Sequence, residues 1–94
     1  MTYTITFKGN GGTFSDGSDR MIQNIKLGEN IANTEPTRTG GAYFGEYEFV
    51  CWCTNPSANP ERLDFGPEIV YYPGDEFYGS SDLTLYAIWR NIGH

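Results

Sequence analysis

The chain of 94 residues is poor in the side chains that most catalytic sites require. Its one histidine is His94, so no internal histidine is present to activate a serine or cysteine nucleophile. Six Lys and Arg stand against twelve Asp and Glu, a net charge of −6, whereas nucleic-acid binding needs clustered basic residues. No apolar run approaches the roughly 20 residues that span a bilayer. The sequence therefore disfavours an enzyme, a nucleic-acid partner and membrane insertion.

Cysteine is also scarce, with only Cys51 and Cys53 present. In a strand, two residues at this spacing lie on the same side about 7 Å apart, which exceeds the usual reach of a disulfide. We expect two reduced, half-buried thiols that pack as small apolar groups. The alternatives are pairing with another chain or a metal site, which would need two further ligands. No metal and no cofactor are predicted.

The carboxylates give no strong catalytic pattern. Glu46 and Glu48 would share a strand face, as a glycosidase pair would, but a solvated strand edge explains them better. The segment from Asp16 to Asp19 resembles a calcium loop without the 12-residue spacing or closing glutamate of an EF-hand. No catalytic residue is predicted.

The sequence is rich in aromatic and turn-forming residues. Aromatics make up 16% of the chain, with 12 Gly and 5 Pro, a composition typical of β-dominated domains. The segment Asp82–Trp89 alternates strictly, with Leu83, Leu85, Ala87 and Trp89 on one face. A terminal strand this apolar is expected to lie inside a sheet. Residues 1–94 are predicted to form one small domain.

Five strands are predicted, of which the first two pair as an antiparallel hairpin over a long loop. Their bounds are Thr2–Lys8, Arg20–Leu27, Tyr47–Thr54, Glu68–Tyr72 and Asp82–Trp89. In the second strand, Met21, Ile25 and Leu27 are expected on one face and Ile22 on the other. Because the residue before Pro36 avoids the α region, residues 31–39 allow at most one short helical turn.

The third strand poses a problem of phase. Simple alternation places Tyr47, Phe49, Cys51 and Cys53 on one face, and Trp52 on the other. If both Phe49 and Trp52 belong to the core, a β-bulge must lie between them.

An ordered set of motifs connects these segments. It consists of Thr4-Ile5-Thr6-Phe7, Asn10-Gly11-Gly12, Pro36-Thr37-Arg38-Thr39-Gly40, Tyr47-Glu48-Phe49-Val50-Cys51-Trp52 and Asp82-Leu83-Thr84-Leu85-Tyr86-Ala87-Ile88-Trp89. Over Tyr3 to Trp89 the chain resembles the Listeria–Bacteroides repeat, the B-repeat of internalin-type bacterial surface proteins. The resemblance implies a β-dominated α+β, β-grasp-like domain with a mixed sheet of four to five strands. It also implies structural roles for Phe7, Asn10, Gly11, Gly12, Phe49, Trp52, Leu85, Tyr86, Ala87 and Trp89.

The chain departs from the family pattern in two places. The glycine that precedes the family's tryptophan is Cys51 here, which questions a bulge that depends on glycine. The segment Gly41–Glu46 is inserted between Gly40 and Tyr47, either as a binding loop or as a tolerated surface insertion.

Aromatic side chains exceed what one small core can bury, so some should reach the surface and bind a partner. The alternative is that Tyr71 and Phe77 simply pack in the core while tyrosine hydroxyls reach solvent. The candidate partner-binding residues are Tyr43, Phe44, Tyr72 and Tyr78. From the resemblance we expect a non-catalytic extracellular module, secreted or at the bacterial cell surface, that acts as a spacer or protein-binding adhesion repeat beside neighbouring domains of the same chain. The alternative is a small carbohydrate-binding domain, so the expected partner is an extracellular protein or a glycan.

Overall fold

The computed structural model describes residues 2–38, 47–57 and 69–91. Its five strands are β1 (Thr2–Lys8), β2 (Arg20–Lys26), β3 (Tyr47–Cys53), β4 (Val70–Tyr71) and β5 (Leu83–Asn91). They form one sheet in the order β2-β1-β5-β3-β4, and the described ranges contain no helix. The predicted β-dominated fold with a mixed, five-stranded sheet is therefore confirmed.

The last strand lies at the centre of this sheet. It runs parallel to β1, with pairs from Ile5–Leu83 to Lys8–Tyr86, and antiparallel to β3 on its other side. Covering both edges of the most apolar strand removes an exposed template for aggregation. The prediction that this strand is internal is confirmed, as is the antiparallel pairing of β1 with β2.

The main core covers one face of the sheet and is centred on Trp52. The Trp52 ring lies 4.8 Å from Phe7, 5.0 Å from Phe49 and 6.0 Å from Phe14, measured between ring centroids. Such aromatic pairs contribute about 0.5–1.5 kcal/mol each beyond their buried area. Loop residues close this core over the strands. Its buried members are Ile5, Phe7, Phe14, Ile25, Ile31, Trp52, Tyr71, Phe77, Leu85 and Ala87.

A β-bulge in β3 solves the problem of phase. Phe49 pairs with Trp89 while Cys51 pairs with Ile88, so Val50 is the extra residue. Phe49 and Trp52 consequently face the same core, as the bulge hypothesis required. The simple alternation was wrong for Cys51 and Cys53, which pack on the opposite face with Ile88. The φ angles of Val50 and Cys51 are not positive, so this bulge does not need a glycine.

Four of the five strands differ in their bounds from the predictions. Strand β3 ends at Cys53 instead of Thr54, and β5 spans Leu83–Asn91 instead of Asp82–Trp89. Strand β2 ends at Lys26, and Leu27 is 65% exposed instead of sharing the inner face. Strand β4 has only two residues. Residues 31–38 form no helical turn, which agrees with the expectation of at most one, because backbone hydrogen bonds hold this segment extended along the core. Ile31 N–H donates to the Asp75 carbonyl and Thr37 pairs with Thr13, whereas Thr39 lies outside the described residues.

Candidate functional site

The boundary between the first and last strands concentrates the motif residues. We call residues 4–12 and 82–89 the terminal-strand seam. Its centre is the parallel pairing of β1 with β5, in which backbone hydrogen bonds are evenly spaced and slanted. Side chains continue this bonding beyond both ends of the paired segment.

At the first end, a carboxylate extends the pairing by one step. The backbone N–H of Thr4 donates to Oδ1 of Asp82 at 2.8 Å. Thr4 precedes Ile5, the first residue of β1 paired with β5, and Asp82 precedes its partner Leu83. Asp82 therefore joins the two strands before their backbones meet. Hydrogen bonds to an ionised acceptor are generally stronger than neutral ones.

At the second end, the side chain of Asn10 takes the place of a backbone donor from β1. The β1–β5 pairing stops at Lys8–Tyr86, and the next carbonyl of β5 is that of Ala87. Asn10 Nδ2 donates to this carbonyl at 2.9 Å and also to the Pro56 carbonyl at 2.9 Å. Asn10 has a φ of 50°, a left-handed conformation that asparagine tolerates better than most residues. The backbone of Asn10 therefore forms the turn, while its side-chain amide binds the two carbonyls.

Trp89 closes the same end of the seam. Its indole Nε1–H donates to the Gly9 carbonyl at 2.8 Å. Its ring lies directly against Gly12, where a Cβ atom would overlap the ring and approach the Thr37 carbonyl oxygen to 2.7 Å. Gly11 has a φ of 102°, so it supplies backbone freedom, while Gly12 supplies space. The Asn-Gly-Gly turn and the final tryptophan thus form one packed unit.

The remaining predicted structural residues lie beside this unit. Phe7, Trp52, Leu85 and Ala87 are buried in the core, and Phe49 packs against it. Tyr86 points to the opposite face of the sheet, where the Lys8 ammonium lies 5.9 Å from its ring centroid.

The candidate partner-binding aromatics are only partly described. Tyr72 and Tyr78 are 49% and 62% exposed, whereas Tyr43 and Phe44 lie outside the described residues. The Tyr78 ring packs 4.7 Å from the ring of buried Tyr71, and its hydroxyl donates to the Val70 carbonyl at 3.4 Å. The Tyr78 ring is therefore tied to β4. Burial raises the pKa of Tyr71, whose hydroxyl accepts from the Tyr78 N–H.

The cysteines lie in an apolar cluster. Both thiols are free, but they are fully buried, so the expectation of half-buried thiols was wrong. Burial, and to a smaller extent the neighbouring Cys53, raises the pKa of Cys51 to about 12. The Cys51 thiol therefore stays neutral at physiological pH and lacks the thiolate that nucleophilic chemistry needs.

The carboxylates make structural contacts. Ser18 donates its hydroxyl and N–H to Asp16, which lowers the pKa of this exposed carboxyl, and Glu48 pairs with Arg90. Glu46 lies outside the described ranges. Within these ranges, no three His, Cys, Asp or Glu residues cluster as metal ligands would.

The sequence pattern did not predict the roles of two groups in the seam, the Asp82 carboxylate and the Gly9 carbonyl. Their partners are 78 and 80 residues away, so no local pattern reveals these bonds. The available signal is positional, because Asp82 immediately precedes a strongly apolar strand.

The seam defines a class of protein: a small β-domain whose signature residues lock its own terminal strands together. The chain belongs to the Listeria–Bacteroides repeat domain family, whose profile matches residues 3–88, so the resemblance seen in the sequence is confirmed. This family is found in bacterial surface proteins. No curated protein and no solved structure matches the chain. The described part of the chain contains no membrane-spanning helix.

Proposed function

We propose that this domain is a non-catalytic, load-bearing spacer of an extracellular bacterial surface protein, joined to neighbouring domains of the same chain. The observation that carries the proposal is the parallel arrangement of β1 beside β5. Because the strands are parallel neighbours, the chain enters the sheet at Thr2 and leaves it at Asn91 at opposite ends. With the register Ile5–Leu83, Asn91 lies about 36 Å beyond Thr2 along the strands, at about 3.3 Å per residue.

Tension applied through Thr2 and Asn91 would pull β1 and β5 past one another in opposite directions. In this shear geometry all hydrogen bonds of the pairing are loaded together, whereas a peeled hairpin breaks its bonds one after another. The bonds from Asp82, Asn10 and Trp89 are loaded in the same way. The seam is therefore suited to resist extension along the chain.

Membership of the repeat family supports the extracellular location. The neutral thiol of Cys51 and the structural contacts of Asp16, Glu48 and Asp82 support a non-catalytic role.

Single-molecule force spectroscopy tests the proposal. One protein is pulled through its two ends, and a second is pulled through handles placed at Thr2 and Lys26, which pair at one end of the β1–β2 hairpin. Forced unfolding reports the unfolding barrier, so shear across the seam should give a clearly higher rupture force than peeling of the hairpin. Equal rupture forces in the two geometries would contradict the proposal.

A variant series then assigns the resistance to the seam. Asp82→Ala and Asn10→Gly should lower the rupture force, while Asn33→Ala, an exposed change outside the seam, should not. Unaltered force in both seam variants would show that the barrier lies elsewhere.

Carbohydrate binding is a second candidate, because Tyr72 and Tyr78 are exposed and the Asp75 carboxylate accepts a hydrogen bond from the Tyr72 N–H. A glycan array probed with the wild type and with Tyr72→Ala tests it. Binding that is lost in the variant would support a carbohydrate module, and binding to an extracellular-protein array would instead support adhesion.

A further inference from the structure

Strand β2 presents an unpaired edge in the described part of the chain. It pairs with β1 on one side, and it stands first in the sheet order. The opposite edge of the sheet is β4, which has only two residues and offers little template for pairing.

The direction of the backbone groups on β2 follows from the contacts of three residues. Lys26 N–H donates to Glu29 Oε1, and the Arg20 carbonyl oxygen lies 3.0 Å from Ser18 Oγ, so neither group points at β1. Thr4, which pairs with Asn24, directs its N–H to Asp82 on the β5 side. Because antiparallel residues alternate, the N–H and C=O groups of Ile22 and Asn24 point outward, and neither has a backbone partner among the described residues.

The side chains of the same residues lie on the outer face of the sheet. Arg20 and Lys26 mark the two ends of β2, Ile22 between them is 59% exposed, and Lys8 lies opposite Arg20. Lys8 and Arg20 are neighbours at one end of the strand pair and Lys26 lies at the other end, so three of the six basic residues share one face of the sheet in a chain whose net charge is −6. None of the three forms an ion pair within the described ranges.

Beside this edge there is a groove between β2 and the loop that follows β1. Its lining includes Phe14, Asp16, Ser18, Arg20, Met21 and Ile22. The one carboxylate in the groove, Asp16, accepts two hydrogen bonds from Ser18.

A second copy of β2 does not suit this edge. Antiparallel pairing of β2 with itself through Ile22 and Asn24 would place Arg20 opposite Lys26 twice, and like charges directly opposite are destabilising. We propose instead that β2 binds an extended, acidic segment of a protein partner by β-strand addition. Main-chain bonds to Ile22 and Asn24 would hold the segment, and acidic side chains would face Arg20 and Lys26.

Antiparallel register specifies the segment. Every second residue of the segment lies directly opposite a residue of β2 on the outer face. From the N-terminus of the segment, these residues are acidic opposite Lys26, polar opposite Asn24, β-branched opposite Ile22 and acidic opposite Arg20. The probe is a fluorescein-labelled peptide, Glu-Thr-Thr-Thr-Val-Thr-Glu, and its binding to the domain is measured by fluorescence anisotropy. A peptide with lysine in place of both glutamates is the matched control. We expect the acidic peptide to bind at least about tenfold more tightly than the lysine peptide.

A charge swap separates binding from folding. The double variant Arg20→Glu/Lys26→Glu should no longer bind the acidic peptide and should bind the lysine peptide instead. Its affinity for the lysine peptide should lie within about threefold of the affinity of the wild type for the acidic peptide. Ile22→Pro removes the outward N–H without removing a bond to β1, so it should abolish binding, whereas Ile22→Val should retain it.

Three outcomes would overturn the proposal. They are equal binding of both peptides, an affinity that does not follow the charge swap, and concentration-dependent dimerisation lost in Ile22→Pro, which would assign the edge to a second copy.

Discussion

Asn10 offers the most direct test of how the terminal-strand seam stabilises the domain. Its amide donates to the carbonyls of Ala87 and Pro56, and its backbone holds a φ of 50°. The change Asn10→Gly removes both hydrogen bonds but keeps a residue that accepts this backbone conformation. The change Asn10→Ala removes the same bonds and adds conformational strain. The two variants therefore separate the contribution of the amide from that of the backbone.

The expected magnitudes follow from these contacts. Each net hydrogen bond contributes about 0.5–1.5 kcal/mol, so Asn10→Gly should lower the free energy of unfolding by about 2 kcal/mol. Asn10→Ala should cost about 1 kcal/mol more, because a left-handed φ is unfavourable for alanine. Asn10→Asp should cost more than Asn10→Gly, since a carboxylate would face two carbonyl oxygens without donors. For a domain of this size, 1 kcal/mol corresponds to a change in Tm of about 4–8 °C.

Urea unfolding followed by far-UV circular dichroism measures these differences, with Asn33→Ala as an exposed control that should remain within about 0.5 kcal/mol of the wild type. Two results would refute the reasoning. A loss below about 0.5 kcal/mol in Asn10→Gly would show that the two bonds contribute little. Equal stability of the glycine and alanine variants would show that the backbone conformation carries no cost.

Three further predictions follow from the described contacts. Gly12→Ala should destabilise the domain by about 2–3 kcal/mol in urea unfolding, because the added Cβ would overlap Trp89 and the Thr37 carbonyl. It should cost more than Gly17→Ala, because a Cβ at Gly17 would meet no other atom and would add only the strain of a positive φ. Thermal stability should fall as pH rises above about 9. The reason is that Cys51 ionises near its ordinary pKa of 9.0 in the unfolded chain, whereas burial raises its pKa to about 12 in the folded domain. The fall in thermal stability should be shallower in Cys51→Ala. Tyr78→Ala should weaken the domain by about 1–2 kcal/mol through loss of its contact with Tyr71, whereas the exposed control Asn33→Ala should stay within about 0.5 kcal/mol of wild type in the same assay.

The sequence was most informative where a strand pattern was long and one face was buried. Strand β1 was predicted with its observed bounds, and the alternation of Leu83, Leu85 and Ala87 identified both the internal strand and its core face. Residues with weak alternation were less informative. Leu27 follows the apolar pattern of β2, yet the turn containing Gly28 at φ 91° takes it out of the strand.

The bulge and the seam show two limits of local patterns. A bulge between Phe49 and Trp52 was predicted only for the case that both side chains belong to the core, because one sequence cannot show which face of a strand is buried. The roles of Asn10 and Trp89 depend on a turn and a strand that lie about 77 residues apart. Recognition of the family marked these residues as structural, but their physical reason required the parallel register of β1 with β5.

The seam also explains why two distant motifs belong to one functional unit. A parallel pair cannot be closed by a short turn, so its strands come from distant parts of the chain and their ends remain unsupported by local bonds. Here Asp82 binds one end, while Asn10 and Trp89 bind the other. Since Gly12 must stay small for Trp89 to reach the Gly9 carbonyl, the turn and the tryptophan constrain each other. A change such as Cys51 in place of glycine falls outside this unit, and the bulge forms around Val50 regardless. If the domain bears load between Thr2 and Asn91, the residues that hold this seam are those that set its strength.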